Sequence, residues 1–558
     1  MKKQLYNRAI LPALAAILLL GACKKTILQL PNPNLPTPNG SLVTEGGIDA
    51  FAEGIFYKWI AFETGDGNIN FFDIAWYMES NMGDEDFTPY SNFGSRYPMN
   101  IASITLPPPY NTVVPNPSGF ATNLAILESF NSRSAGDGNS IQYEWDCFYY
   151  VNAQANTLLQ ALDNPALKLS GDAATKKKLL QAWAYYWKGY SYSKLGSMYL
   201  AAVIDDSPDS TAKGLTSNVY LVHDSVIGAA NRNFAQAASL FGSITENSDY
   251  DTTFKAIIPS FNVPNQVITP AMWVRQINSF EARNYLVNRK VAAMTAADWT
   301  TILNLTAGGM TQTDYTLRWG VAPLGVPDLT KNLGYPFHPM VLHTVFGGLS
   351  FVSERLIQDI QPGDQRFTKG FEPYPTGVVV NVLNRGIQFG TRYAPVDIEK
   401  GGLYATENYS SAATVPIAPT WEETALMTAE ADIYLGNVNA GLQLIDQVRA
   451  SQNAGLPTLA NSGISQDSAI SQLHSERRIG LYLHNVSWYD ARRWGITAPA
   501  SQGGGRIGNI VVPGSLINQT AAQVLPCFIN YDFVDYWDVP QNELDFNPAG
   551  ANSAPVKN

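Results

Sequence analysis

Cysteine is scarce in this chain: three in 558 residues, Cys23, Cys147 and Cys527. So few exclude a disulfide framework, and isolated cysteines are commonly small buried hydrophobes, so Cys147 and Cys527 are expected to be free and buried. Five scattered histidines leave little for a metal cluster or a proton shuttle. His338 and His343, five residues apart, would not share a helix face and read as loop residues. Basic charge is in deficit, with 36 Lys and Arg against 47 Asp and Glu, a net charge of -11 and a pI near 5.0. That balance excludes a nucleic-acid partner, which would need a basic face. Charged residues of both signs make up only 15% against 45% hydrophobic, a globular composition that is neither disordered nor polytopic. HExxH, GxSxG and Walker A are all missing. Gly503, Gly505 and Gly508 satisfy GxGxxG, but no apolar strand precedes them, so they read as a turn. The acidic stretches Gly83 to Asp86 and Asp205 to Asp209 follow no EF-hand pattern and read as solvated turns. No metal, no cofactor and no catalytic residue is therefore expected.

Aromatic residues are plentiful: 28 Tyr and 12 Trp exceed what a core alone tends to need and leave rings for binding surfaces. The N-terminus reads as an export address. Lys2, Lys3 and Arg8 precede an apolar run, Ala9 to Leu20, that is too short to span a bilayer comfortably. Leu20-Gly21-Ala22-Cys23 resembles the bacterial lipobox, in which the cysteine is lipidated and becomes the first mature residue. The expected division is a signal peptide at 1–22, a lipidated Pro-rich tether at 23–41 with prolines at 31, 33, 36 and 38, and one domain at 42–558.

Helical periodicity recurs along that domain. It predicts helices over Glu45 to Ile60, Tyr143 to Leu162, Asp172 to about Ala202, and Phe234 to Ile244. Thr420-Trp421-Glu422-Glu423 has the form of a capping box ahead of a second helical pair broken at Gly436-Asn437, with small alanines as in tetratricopeptide-like hairpins. The interval from about 250 to 420 mixes Gly, Pro, Thr and Val, includes the apolar run Gly377 to Leu383, and shows one clear helix, Thr295 to Thr306. It reads as a large loop-rich insertion on a mainly α scaffold of tetratricopeptide-like helical pairs, and such loops are where specificity usually sits.

The stretch Glu476 to Gly495, ERRIGLYLHNVSWYDARRWG, reads as one amphipathic helix with Ile479, Tyr482, Leu483 and Val486 on a stripe and charges at both ends. Those charges are expected to form an ion-pair lattice docking the segment onto neighbouring helices rather than an active site. This stretch resembles the C-terminal signature of the RagB/SusD family, nutrient-binding outer-membrane lipoproteins. It keeps Glu476, Arg477, Arg478, Trp488, Asp490, Arg492, Arg493, Trp494 and Gly495, and departs at Gly480, His484 and Asn485. Val539-Pro540-Gln541-Asn542-Glu543 with Asn547-Pro548 resembles the family's terminal string.

The resemblance implies a SusD-like fold and a lipid-anchored outer-membrane protein, carrying palmitate and facing the cell surface. It also implies capture of oligosaccharide for a SusC-like TonB-dependent transporter; peptide binding in the same architecture is the alternative, and a lipid-anchored hydrolase a third reading. From the residues themselves, Trp76 and Tyr77 in the first loop region and Trp273, Trp299, Tyr315 and Trp319 in the insertion lie among Asn, Asp and Arg. Rings that stack on a sugar's apolar face and polar groups that orient it are what such a site requires, so these six are the candidate ligand residues.

Overall fold

The computed structural model describes residues 41–60, 71–87, 92–94, 97–115, 122–206, 217–258, 266–321, 333–334, 351–374, 390–396, 401–404 and 413–558. Cys23 with the export signal, His338, His343 and the run Gly377 to Leu383 lie outside the described residues.

Helices dominate. Among the described residues the α-helices of six or more residues are, in chain order, α1 Glu45–Ile60, α2 Phe71–Met82, α3 Asn123–Phe130, α4 Gln142–Leu162, α5 Ala173–Met198, α6 His223–Gly242, α7 Ser248–Ile257, α8 Pro270–Val287, α9 Ala296–Ala307, α10 Glu354–Asp359, α11 Gln365–Gly370, α12 Trp421–Tyr434, α13 Val438–Ser451, α14 Gln466–Gly480 and α15 Ser487–Arg493. The 26-residue α5 is the central element, starting where the Asp172 carboxylate accepts from the amide of Thr175 at 3.1 Å. It packs on α4 and α6, and α12 packs on α13. The α5–α6 contact is close because Gly189 and Gly196, seven apart on one face, leave room for Phe234 and Ile227, also seven apart: a Cβ on Gly189 would lie 2.6 Å from the Phe234 ring. Beside that contact Trp183, Tyr186, Trp187 and Tyr190 of α5 pack with Trp273, Phe234 and Phe280, mostly edge to face, as at Tyr186 and Trp273 with ring centroids 4.9 Å apart.

The interval after residue 250 is more helical than its composition predicts. The 18-residue α8 begins with Pro270 at its first position, behind the Thr269 hydroxyl that accepts from the Met272 amide. Its Leu286 joins Trp299 and Ile302 of α9 and Met427 of α12 in one buried cluster. Strands are short. Arg506–Val512 pairs antiparallel with Gln523–Asn530, then Ser103–Thr105 and Val113–Pro115. Gly503 and Gly505 have φ of 86° and 88° in the turn that precedes that sheet, so the glycine motif opens a strand rather than following one.

The signature stretch is two helices, not one. The chain leaves α14 after Gly480, and Leu483 and Asn485 take left-handed φ values of 58° and 59° before α15 begins. Ile479, Tyr482, Leu483 and Val486 are all buried, as the apolar stripe predicts, but they are buried across the break rather than along one helix. The expected lattice is present. Arg477 and Arg493 each hold Asp490 at 2.8 Å, Arg493 reaches Glu430 of α12 at 2.6 Å, and Glu476 pairs with Arg366 of α11 and Arg449 of α13. Arg478 donates to the carbonyls of Gly83 and Asp84.

That last contact draws in the acidic turn after α2, which is buried, contrary to its reading as solvated. Asp84 takes Arg355 at 2.6 Å and Tyr531 at 2.5 Å; burial pushes its carboxyl up, but the two arginines hold it well below the usual carboxylate range. Partners 270 or more residues away in sequence are what make the turn internal. The second acidic stretch pairs Asp206 with Lys188 at 3.1 Å. Cys147 and Cys527 are free and buried. Among the described residues no helix is long and apolar enough to cross a membrane, and no group of three or more His, Cys, Asp or Glu is placed to hold a metal ion.

Candidate functional site

Two open cavities stand out among the described residues. The larger, about 590 Å³, lies along α10 and α11 between Ile357 and Thr368, and Phe367 is its one ring. The other, about 500 Å³, is walled by the turn after α9 (Met310 to Thr316), by Arg318 and Gln266, and by the start of α12 at Thr420, Trp421 and Glu422. It joins two amphipathic rings, Tyr315 and Trp421, to a polar lining.

Its walls are fixed from behind. Arg275 of α8 holds Asp314 through two hydrogen bonds, 2.7 and 2.5 Å, and the Thr311 amide donates to the same carboxylate. Burial raises the Asp314 carboxyl, but the Arg275 and Thr311 hydrogen bonds outweigh it and leave it below its ordinary value. Thr316 accepts from Gln276 at 3.0 Å and donates to the carbonyl of Pro419 at 2.9 Å, and Gln276 accepts from the core Tyr186 hydroxyl. On the opposite wall the Thr420 hydroxyl caps α12 by accepting from the Glu423 amide. The Glu423 side chain does not reach back as a capping box requires, because Arg283 of α8 takes it, with Nε 2.6 Å from Oε1. Strand Arg318–Val321, which follows the first wall, pairs antiparallel with Ala413–Pro416, which precedes the second. The result is a rigid polar cleft with Tyr315 about 40% exposed at its edge and Trp421 half-buried.

Four of the six sequence candidates do not reach this or any surface. Trp76 sits in helix α2, fully buried edge-on against Phe72, and Tyr77 beside it is also buried. Trp273 is fully buried in α8, stacked on Phe241 and edge-on to Tyr186. Trp299 lies stacked on Tyr434, their ring centroids 4.4 Å apart. As ligand contacts these four are corrected to core residues, since all four side chains are buried and the three tryptophans each have a protein ring on a face or edge. Trp319 lies in the strand opposite Val415, its side chain outside the described residues. Tyr315 lines the cleft. Sequence reading missed Trp421, which its place inside the Thr420 cap disguised, and Arg318, which no motif marks. The polar turn Thr311-Gln312-Thr313-Asp314-Tyr315-Thr316, a ring among small polar residues, was the available signal.

A mainly helical scaffold of packed pairs carries this open, ring-bearing polar cleft. Within it, residues 423–550 match the model of the SusD family, and the fold is SusD-like. A protein described as a SusD-like carbohydrate binding protein from Bacteroides vulgatus superposes with a TM-score of 0.54 at 14% identity, covering 91% of this chain and 98% of its own. Another of the same description from Bacteroides fragilis gives 0.54 at 13%, covering 90% and 98%. A SusD superfamily protein from Parabacteroides distasonis gives 0.54 at 11%, covering 90% and 97%. By sequence, no curated protein matches the chain.

Proposed function

We propose that this protein is a cell-envelope binding protein that captures oligosaccharide in the Tyr315–Trp421 cleft without transforming it, and delivers it to a SusC-like TonB-dependent transporter. The observation that carries the reading is the cleft itself: about 500 Å³, two rings able to stack on a sugar face, and hydrogen-bonding groups held by buried partners. Two of the similar folds are described as carbohydrate binding, which supports the same ligand class. Of the six candidate rings, Tyr315 is retained as a ligand contact; Trp319 remains a candidate beside it, and Trp421 is added.

The test is a screen of neutral and acidic oligosaccharides, with a peptide library alongside, followed by calorimetry on the tightest ligand. Tyr315→Ala is expected to weaken that binding several-fold, because one exposed stacking ring contributes roughly 0.5 to 1.5 kcal/mol, while circular dichroism stays unchanged. Unchanged affinity in a folded variant places the site elsewhere. Binding of peptides and of no sugar replaces the ligand class.

A further inference from the structure

Arg318 is the cation of the cleft lining. It is half-buried in the cavity wall, and among the described residues its hydrogen bonding is a single 3.4 Å contact to the carbonyl of Thr414, with no ion pair. Nearby arginines are neutralised: Arg275 by Asp314, Arg283 by Glu423. A guanidinium carries five donors in a planar fork, and leaving most of them unmatched in a half-buried wall is costly unless something else meets them. Burial works against its charge, and Tyr404 and Glu422, acting through space, offset only part of that. Thr420, Trp421 and Glu422, which start the 14-residue α12, line the opposite wall, so the positive end of that helix adds to the same field.

We infer that the cleft selects acidic sugars, with Arg318 receiving the carboxylate of a uronic acid residue while Tyr315 stacks on a ring of the chain. The planar fork matches a carboxylate in a bidentate geometry that a hydroxyl cannot reproduce. Rim residue Glu422 disfavours an anion placed against it, which directs the carboxylate to the Arg318 side. This inference rests on the cleft being the oligosaccharide site.

The experiment separates the two ideas. Oligogalacturonides, oligomannuronates and glucuronoxylan oligosaccharides are titrated by calorimetry beside the same materials after carboxyl reduction, together with neutral xylan and galactan oligosaccharides. Wild-type protein is expected to bind a uronate form roughly ten- to hundredfold tighter than its reduced counterpart. Arg318→Gln is expected to abolish that preference. Arg318→Lys, which keeps the charge and loses the fork, is expected to keep a reduced preference and guards against a folding defect in the first variant. Equal binding of acidic and reduced forms, or a preference that survives in folded Arg318→Gln, overturns acid selection and leaves oligosaccharide binding standing. Binding of neutral sugars alone, weakened by Tyr315→Ala, does the same. Binding of no oligosaccharide at all overturns both.

Discussion

Asp86 shows what it costs this protein to bury its acidic turn. Its carboxylate accepts from the Tyr482 hydroxyl at 3.0 Å, and burial pushes its pKa from 3.8 up to about 7, with Tyr482 offsetting a little. Neighbouring Glu85 is raised as well, by burial and by Asp86, against the pull of Arg478. An unfolded Asp86 loses its proton near pH 4 while the folded one keeps it to about pH 7, so this group lowers stability as pH rises through that window and by a constant amount above it. Asp86→Asn keeps an acceptor for Tyr482 and removes the titration. Relative to wild type, the variant should gain stability between pH 5 and pH 8 by an amount on the order of 2 to 3 kcal/mol, read from urea melts at the two pH values. Parallel pH profiles for the two proteins would refute the assignment. No property of the string Gly-Asp-Glu-Asp distinguishes this turn from a solvated one, because Arg355, Arg478, Tyr482 and Tyr531 come from remote positions.

At the scale of elements, caps and small residues were the legible features. Asp172, Thr295 and Thr420 start helices where their sequence contexts predict, and Thr295 with Asp298 forms the full reciprocal box. Helix α8 was not legible, because it is buried around much of its circumference: Trp273, Ile277 and Phe280 alternate with buried Gln276, Ser279 and Asn284, which blurs any single apolar stripe. The break after Gly480 was hidden for a related reason, since a buried kink and a buried stripe use the same residues. For the α5–α6 pair the glycines make a sharp prediction. Gly189→Ala puts a Cβ 2.6 Å from the Phe234 ring, so overpacking should outweigh the gain in helix propensity and cost about 1 to 3 kcal/mol in a denaturant melt. A neutral or stabilising result would mean that Phe234 has room to swing away. Sugar binding should be unchanged in either case, since the cleft lies between α9 and α12.

For the whole molecule, the proposed place in the cell envelope raises the question of what would hold a chain with a net charge of -11 at a membrane. Electrostatic adsorption is disfavoured, because bacterial phospholipid surfaces are largely anionic and like charges repel. Among the described residues no helix is long and apolar enough to cross a membrane. The lipobox-like Leu20-Gly21-Ala22-Cys23 offers the covalent answer we propose: acyl chains on Cys23 would add about 0.8 kcal/mol per buried methylene, and more than one chain would make attachment stable. Cys23→Ala is therefore expected to move the protein from the washed membrane fraction to the soluble one, and to abolish incorporation of radiolabelled palmitate. Retention after a high-salt wash with no label in either form would make a membrane partner the anchor. Label present in wild type with retention unchanged in Cys23→Ala would show lipidation and partner binding acting in parallel, and would locate the dominant hold in the folded domain.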